Sequence, residues 1–351
     1  MAKKKQNIEP LLLSTGSTLL NIEMTGNSKG GWYTGHYYLF VGDSDSGKSW
    51  FMHTTLAEAA NNPAFDNYRL IYDYPEAKSS LIDVERYFGK KLAQRIEQPM
   101  VRDGQPASSE TAEEFYYNVH DATKQDRPFV YILDSQDSLT CNREANKFQK
   151  LKAKSRGSNV DVASGDYADG KAKVHSSHLR QLIMPLARTN SLLIIVNQSR
   201  DSFDMFERDS YSGGRALKFY AVAQLWSYHA GKLEKTFRKK KRQTGIKSRI
   251  KIKKNHVTGR QGETTVPIYH SHGIDDVGSC VDYLIGENIW DMTKQGVVRV
   301  VGLGPDWEAS REKVVQRIEH EGLEDDLQDL VGEVWQEIQD AVSVKRKQRY
   351  E

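Results

Sequence analysis

The chain has 351 residues, of which 38% are hydrophobic and 28% charged, with a formal net charge of +3. At roughly 100 to 200 residues per domain this length holds one large α/β core and a smaller attached unit, and the composition excludes a disordered chain. No apolar run approaches the roughly 20 residues that cross a bilayer.

The first 13 residues are read as a short basic N-terminal segment. Met1–Lys5 leads into Gln6-Asn7-Ile8-Glu9-Pro10 and not into the apolar stretch of a secretory signal, so a cytoplasmic protein without a membrane partner is expected. Candidate strands follow at Tyr37–Val41, Arg69–Tyr72, Phe129–Leu133 and Leu192–Val196, with helical segments at Ser49–Ala60 and Val174–Leu186 between them. Such alternation predicts an α/β fold with a mainly parallel central sheet flanked by helices. Further strands are expected at Ala221–His229, Ser248–Lys254 and Thr265–Tyr269, some as antiparallel extensions. Two polar stretches, about 141–173 and 199–214, fit neither pattern and are read as long loops of the functional kind. From 285 to 351 a small, mainly helical C-terminal domain is expected, because apolar residues from Val314 to Ile338 fall near helical spacing; it ends in the basic tail Lys345–Arg349. Cys141 and Cys280 lack partners at metal-ligand spacing and are read as reduced and structural.

The segment Gly42-Asp43-Ser44-Asp45-Ser46-Gly47-Lys48-Ser49 fits G-x-x-x-x-G-K-[ST] and lies between a predicted strand and a predicted helix. In that setting backbone N–H groups curl around phosphates at a helix N-terminus, Lys48 reaches the β and γ phosphates, and the Ser49 hydroxyl ligates Mg²⁺. ATP and Mg²⁺ are therefore the expected cofactors, and the nucleotide site is taken to run through Trp50. Asp134, at the end of the Phe129–Leu133 strand, is the second Mg²⁺ residue. Hydrolysis needs a carboxylate that orients or deprotonates water, and Asp73 and Glu76 both follow the Arg69–Tyr72 strand.

Four ordered segments make the chain resemble the RecA-type recombinases, over about residues 14–284. They are Ser14-Thr15-Gly16-Ser17, Asp134-Ser135, Asn197-Gln198, and Gly213-Gly214-Arg215-Ala216-Leu217-Lys218-Phe219-Tyr220. The resemblance implies a RecA-like P-loop core, DNA-stimulated ATP hydrolysis, and homologous pairing and strand exchange on single-stranded DNA. It favours Glu76 as the water-activating carboxylate and makes Gln198 the γ-phosphate sensor. By the same resemblance, Lys254 acts on the ATP of a neighbouring subunit, and His256 stands where a second lysine is usual. The polar stretches become the DNA loops. Lys152, Lys154 and Arg156 of the first supply positive charge for a phosphate backbone. Arg200 and Arg208 of the second are interleaved with Phe203 and Phe206, which suit unstacked bases; Gly213, Gly214 and Arg215 follow.

Two departures from the family pattern stand out. Glu76 lies one residue further along than usual, with Pro75 in the turn, and only 13 residues precede Ser14. Self-association is expected as a filament or a ring. The alternatives are a RecA-like hexameric helicase or motor and a non-filamenting mediator of recombination. Lys239-Lys240-Lys241-Arg242 is a candidate contact for duplex DNA.

Overall fold

The run Tyr37-Tyr38-Leu39-Phe40-Val41 forms strand β1 (Tyr37–Gly42) in the computed structural model, which describes residues 9–76, 82–155, 169–201 and 209–346. Every residue of β1 is buried, as befits a parallel strand covered on both faces. Alternate side chains take opposite sides. Tyr38 and Phe40 enter one apolar cluster, while Tyr37, Leu39 and Val41 enter another. The same alternation runs through β2 (Arg69–Asp73), β3 (Phe129–Leu133) and β4 (Leu192–Asp201). Leu70, Ile132 and Ile194 join the first cluster, and Ile71, Tyr131 and Leu193 the second.

Helix α1 (Lys48–Asn61) closes the first cluster with Phe51, Met52 and Leu56. Helix α2 (Ala112–Ala122) closes the second with Phe115 and Val119. Its start is fixed locally: the Thr111 hydroxyl accepts the Glu114 N–H at 3.1 Å, and Glu113 and Glu114 offset the helix dipole. Next come α3 (Asn142–Ser155) and α4 (Asp169–Thr189), and α4 adds Leu179, Leu182 and Leu186 to the second cluster. The short α5 (Arg215–Tyr220) leads into a long hairpin of β5 (Ala223–Phe237) and β6 (Lys240–Asn255), followed by β7 (Glu263–Tyr269).

Across the main sheet the order is β7-β6-β5-β1-β4-β3-β2. Pairings from β5 to β2 are parallel, while β5–β6 and β6–β7 are antiparallel. The predicted α/β architecture with antiparallel extensions is the one observed. Among the described residues, no helix is long and apolar enough to cross a membrane.

Three expectations need correction. The stretch 141–173 is not a plain loop, because α3 occupies 142–155 and α4 begins at 169. Helix α3 is built of good helix formers, but its Phe148 and Leu151 are exposed, so no buried stripe marks it. The stretch 199–214 is partly strand: β4 runs on to Asp201, and Asp209–Tyr211 pairs back against it. In the C-terminal unit short strands precede the helices. Strands Asp291–Met292, Val297–Val300 and Trp307–Ser310 form an antiparallel sheet ahead of α7 (Arg311–Glu321) and α8 (Glu324–Val342). The boundary at 284 also cuts through α6 (Asp276–Gly286), whose Cys280, Val281 and Leu284 share a core with Val298, Val314, Ile318 and Val331. Both cysteines are free and buried.

Candidate nucleotide and DNA site

The phosphate cradle is the turn from β1 into α1. Gly47, at φ +92°, is the N-cap and offers no side chain to the first-turn N–H groups, so those donors face the cavity. That left-handed φ strains any residue with a Cβ, and a Cβ there would also come 2.5 Å from Ile268 Cδ1. Ser46 is tied to the sheet by its Oγ at 2.7 Å from Ser227 Oγ, and its carbonyl accepts from Ser248 Oγ at 2.6 Å. Lys48 Nζ donates to the Gly42 and Asp43 carbonyls at 2.8 and 2.6 Å. Burial lowers the pKa of its ammonium, and the charges of Asp134, Glu76, Asp43 and Asp137 oppose that shift. Trp50 packs against Tyr87 and Phe88, with ring centroids 5.4 and 5.1 Å away.

A cavity of about 590 Å³ opens over this turn, lined by Ser44, Asp45, Gly47, Lys48, Ser49 and Trp50. Asp134 and the Ser49 hydroxyl meet inside it. Ser49 Oγ donates to Asp134 Oδ2 at 2.7 Å, and Tyr72 OH donates to the same oxygen at 2.6 Å. Hydroxyl and carboxylate oxygens side by side are a donor set that suits a hard cation such as Mg²⁺. The size, the glycine cradle and the uncapped helix start fit a nucleoside triphosphate.

The two candidate carboxylates separate cleanly. Glu76 lines the cavity and accepts from Ser135 Oγ at 2.6 Å and from Gln198 Nε2 at 3.1 Å. Asp73 is fully buried and accepts from the Ser109 N–H, the Ser109 hydroxyl and Tyr131 OH at 2.9, 2.6 and 2.7 Å. Burial pushes its carboxyl pKa up, while these hydrogen bonds pull it back. Strand alternation puts Asp73 on the face of Ile71, away from α1.

Residues that the sequence reading did not anticipate complete the cavity: His229 and Lys232 from β5, Gln243 from β6, and His270 just past β7. Lys254 is elsewhere. Its Nζ donates to the carbonyls of Lys218, Phe219 and Ala221 at 2.8, 2.9 and 2.6 Å, which ties β6 to the end of α5. Burial lowers its pKa, and so does the charge of Lys218.

Of the expected DNA residues, Lys152 and Arg215 are exposed. Arg200 is 61% exposed, and its Nη2 lies 3.1 Å from Asp137 Oδ1. Gly213 and Gly214 sit at φ +94° and +80°, close enough to His175 and Ala172 that a Cβ at either would crowd α4. Arg156, Phe203, Phe206 and Arg208 lie outside the described residues, as does the side chain of Lys154. The run Lys239-Lys240-Lys241-Arg242 is at the exposed tip of the β5–β6 hairpin.

On α4, His175 bridges Tyr116 OH and Gln136 Nε2, each at 2.8 Å. With the Gln136 amide donating to Nε2, the ring is neutral and Nδ1–H faces the tyrosine. Burial pushes the His175 pKa down to about 3. Between that value and the ordinary 6.5, the unfolded chain binds a proton here that the folded chain does not, so this group adds stability as pH rises. The stability gap between wild type and His175→Gln should therefore narrow as pH falls through this window, as measured by chemical denaturation at each pH.

Fold and cradle together define a P-loop α/β protein with a RecA-like order of motifs. Residues 1–275 match the model of the RecA N-terminal domain, and the chain belongs to the RecA family. It is 25% identical over 299 residues to Protein RecA of Bartonella henselae, covering 84% of this chain and 75% of that protein. To Protein RecA of Brucella canis it is 26% identical over 285 residues, covering 80% and 69%.

Proposed function

We propose that the protein is a DNA-dependent ATPase that binds single-stranded DNA and promotes homologous pairing and strand exchange. One observation carries the reading: Glu76 and Gln198 are hydrogen-bonded at 3.1 Å inside the phosphate cavity, and Gln198 begins the strand segment that leads into the second DNA loop. In this reading the N–H groups at the start of α1 and the Lys48 ammonium bind the β and γ phosphates. Ser49 and Asp134 hold Mg²⁺, which when bound neutralises charge on those phosphates. Glu76 orients the attacking water and takes its proton, the oxygen attacks the γ phosphorus, and ADP and phosphate leave. Gln198 exchanges its bond to Glu76 for one to the γ-phosphate and so reports the nucleotide to the loop.

A second reading, a non-filamenting mediator with weak hydrolysis, is favoured by one observation: the Lys254 ammonium is engaged by three carbonyls of its own chain. Steady-state ATP hydrolysis with and without single-stranded DNA separates the two. The recombinase reading expects a stimulation of about tenfold or more, equal to about 1.4 kcal/mol of barrier. A rate that DNA leaves unchanged sinks it and leaves the mediator.

A further inference from the structure

Asp137, three residues beyond the Mg²⁺ carboxylate, was given no role by its sequence. Its side chain is only 9% exposed and gathers three donors from the strand and loop that lead to DNA. Oδ2 accepts the backbone N–H of Gln198 at 2.7 Å. Oδ1 accepts the Arg200 guanidinium at 3.1 Å and the Ser212 hydroxyl in a short contact. Ser212 also reaches Gln136 Oε1 at 3.2 Å, and its carbonyl accepts from Asn197 Nδ2 at 2.8 Å. One carboxylate thus fastens both ends of the second loop to the turn that follows β3 and Asp134.

The chemistry of Arg200 gives this geometry its meaning. A guanidinium recognises carboxylate and phosphate oxygens by the same fork of donors, so the two anions compete for it. We propose that Asp137 is a positioning residue that acts as an intramolecular stand-in for a DNA phosphate: it holds Arg200 in a latch that single-stranded DNA must displace. Gln198 hangs on the same carboxylate, so displacement of Arg200 and movement of Gln198 toward the γ-phosphate are coupled through Asp137. By reciprocity, nucleotide engagement by Gln198 loosens the latch and raises affinity for DNA by the factor by which DNA raises affinity for nucleotide. The inference rests on the proposed DNA-dependent ATPase and adds an element that competes with its DNA ligand.

The test uses the full chain and Asp137→Asn, a change of equal size that keeps one oxygen for the Gln198 N–H and removes the charge facing Arg200. Binding to an oligothymidine is measured by fluorescence anisotropy without nucleotide, over a series of salt concentrations. Asp137→Asn is expected to bind about fivefold tighter or more, the low end of typical coupling, with a salt slope close to that of wild type, because Arg200 meets one phosphate in both complexes. In an Arg200→Ala background the same substitution should change neither quantity. Weaker or unchanged binding of Asp137→Asn, or a gain that survives Arg200→Ala, overturns the latch, since a merely structural carboxylate would not depend on Arg200. Failure of wild type to bind DNA or to be stimulated by it would instead strike the function proposed above.

Discussion

Lys48→Ala is expected to lower ATP hydrolysis about a hundred- to a thousandfold, the loss typical when one fixed donor is removed from developing oxyanion charge. The size follows from position. The Lys48 ammonium is buried at the base of the cavity, donates to two carbonyls of the cradle, and lies in the field of Asp134, Glu76, Asp43 and Asp137. Alanine therefore removes both a phosphate ligand and one of the positive charges, beside Lys232, that let a polyanion approach. Lys48→Arg should not restore the rate, because a planar fork cannot take the place of a compact ammonium wedged between the Gly42 and Asp43 carbonyls. Phosphate release by both variants, with and without DNA, checks this; near-wild-type hydrolysis by Lys48→Ala would remove the cradle from the mechanism.

The second large effect separates the two carboxylates. Glu76→Gln should reduce kcat by about a hundredfold or more, within the range for general base catalysis, while the KM for ATP changes little. Asp73→Asn should leave kcat close to wild type and cost roughly 1 to 3 kcal/mol of stability. The reason lies in the donors around Asp73. Two oxygens accept three hydrogen bonds there, and an asparagine amide would turn its own N–H groups toward hydroxyls that are already donating. Kinetics and thermal unfolding of both variants decide the matter: a collapse of kcat in Asp73→Asn with an active Glu76→Gln would reverse the assignment.

Part of this division was legible in advance. Alternation in Arg69-Leu70-Ile71-Tyr72-Asp73 already places Asp73 on the side of Ile71, opposite the face that α1 covers, although only the structure says which side holds the phosphate turn. Strands buried on both faces were the easiest to read; β3 has the expected ends, Phe129 and Leu133. The cradle was legible because its eight residues are contiguous. Asp137 was not, since its partners Gln198 and Ser212 are 61 and 75 residues away and nothing in Gln136-Asp137-Ser138 announces them. The outer arms of β5 and β6 were missed for another reason: Lys232, Lys235, Lys240 and Arg242 are exposed, so the pairing there is made by backbone hydrogen bonds and leaves no apolar pattern.

The walls of the nucleotide cavity run from Ser44 to His270 in the chain, and that spacing bears on how the molecule folds. The turn before α1, Glu76, Asp134, Gln198 and the hairpin wall meet only when strands far apart in sequence have all taken their places. Such long-range contacts close slowly and late. A nucleotide bound there would therefore recognise the finished core and no fragment of it, and by mass action would stabilise the assembled sheet as a unit.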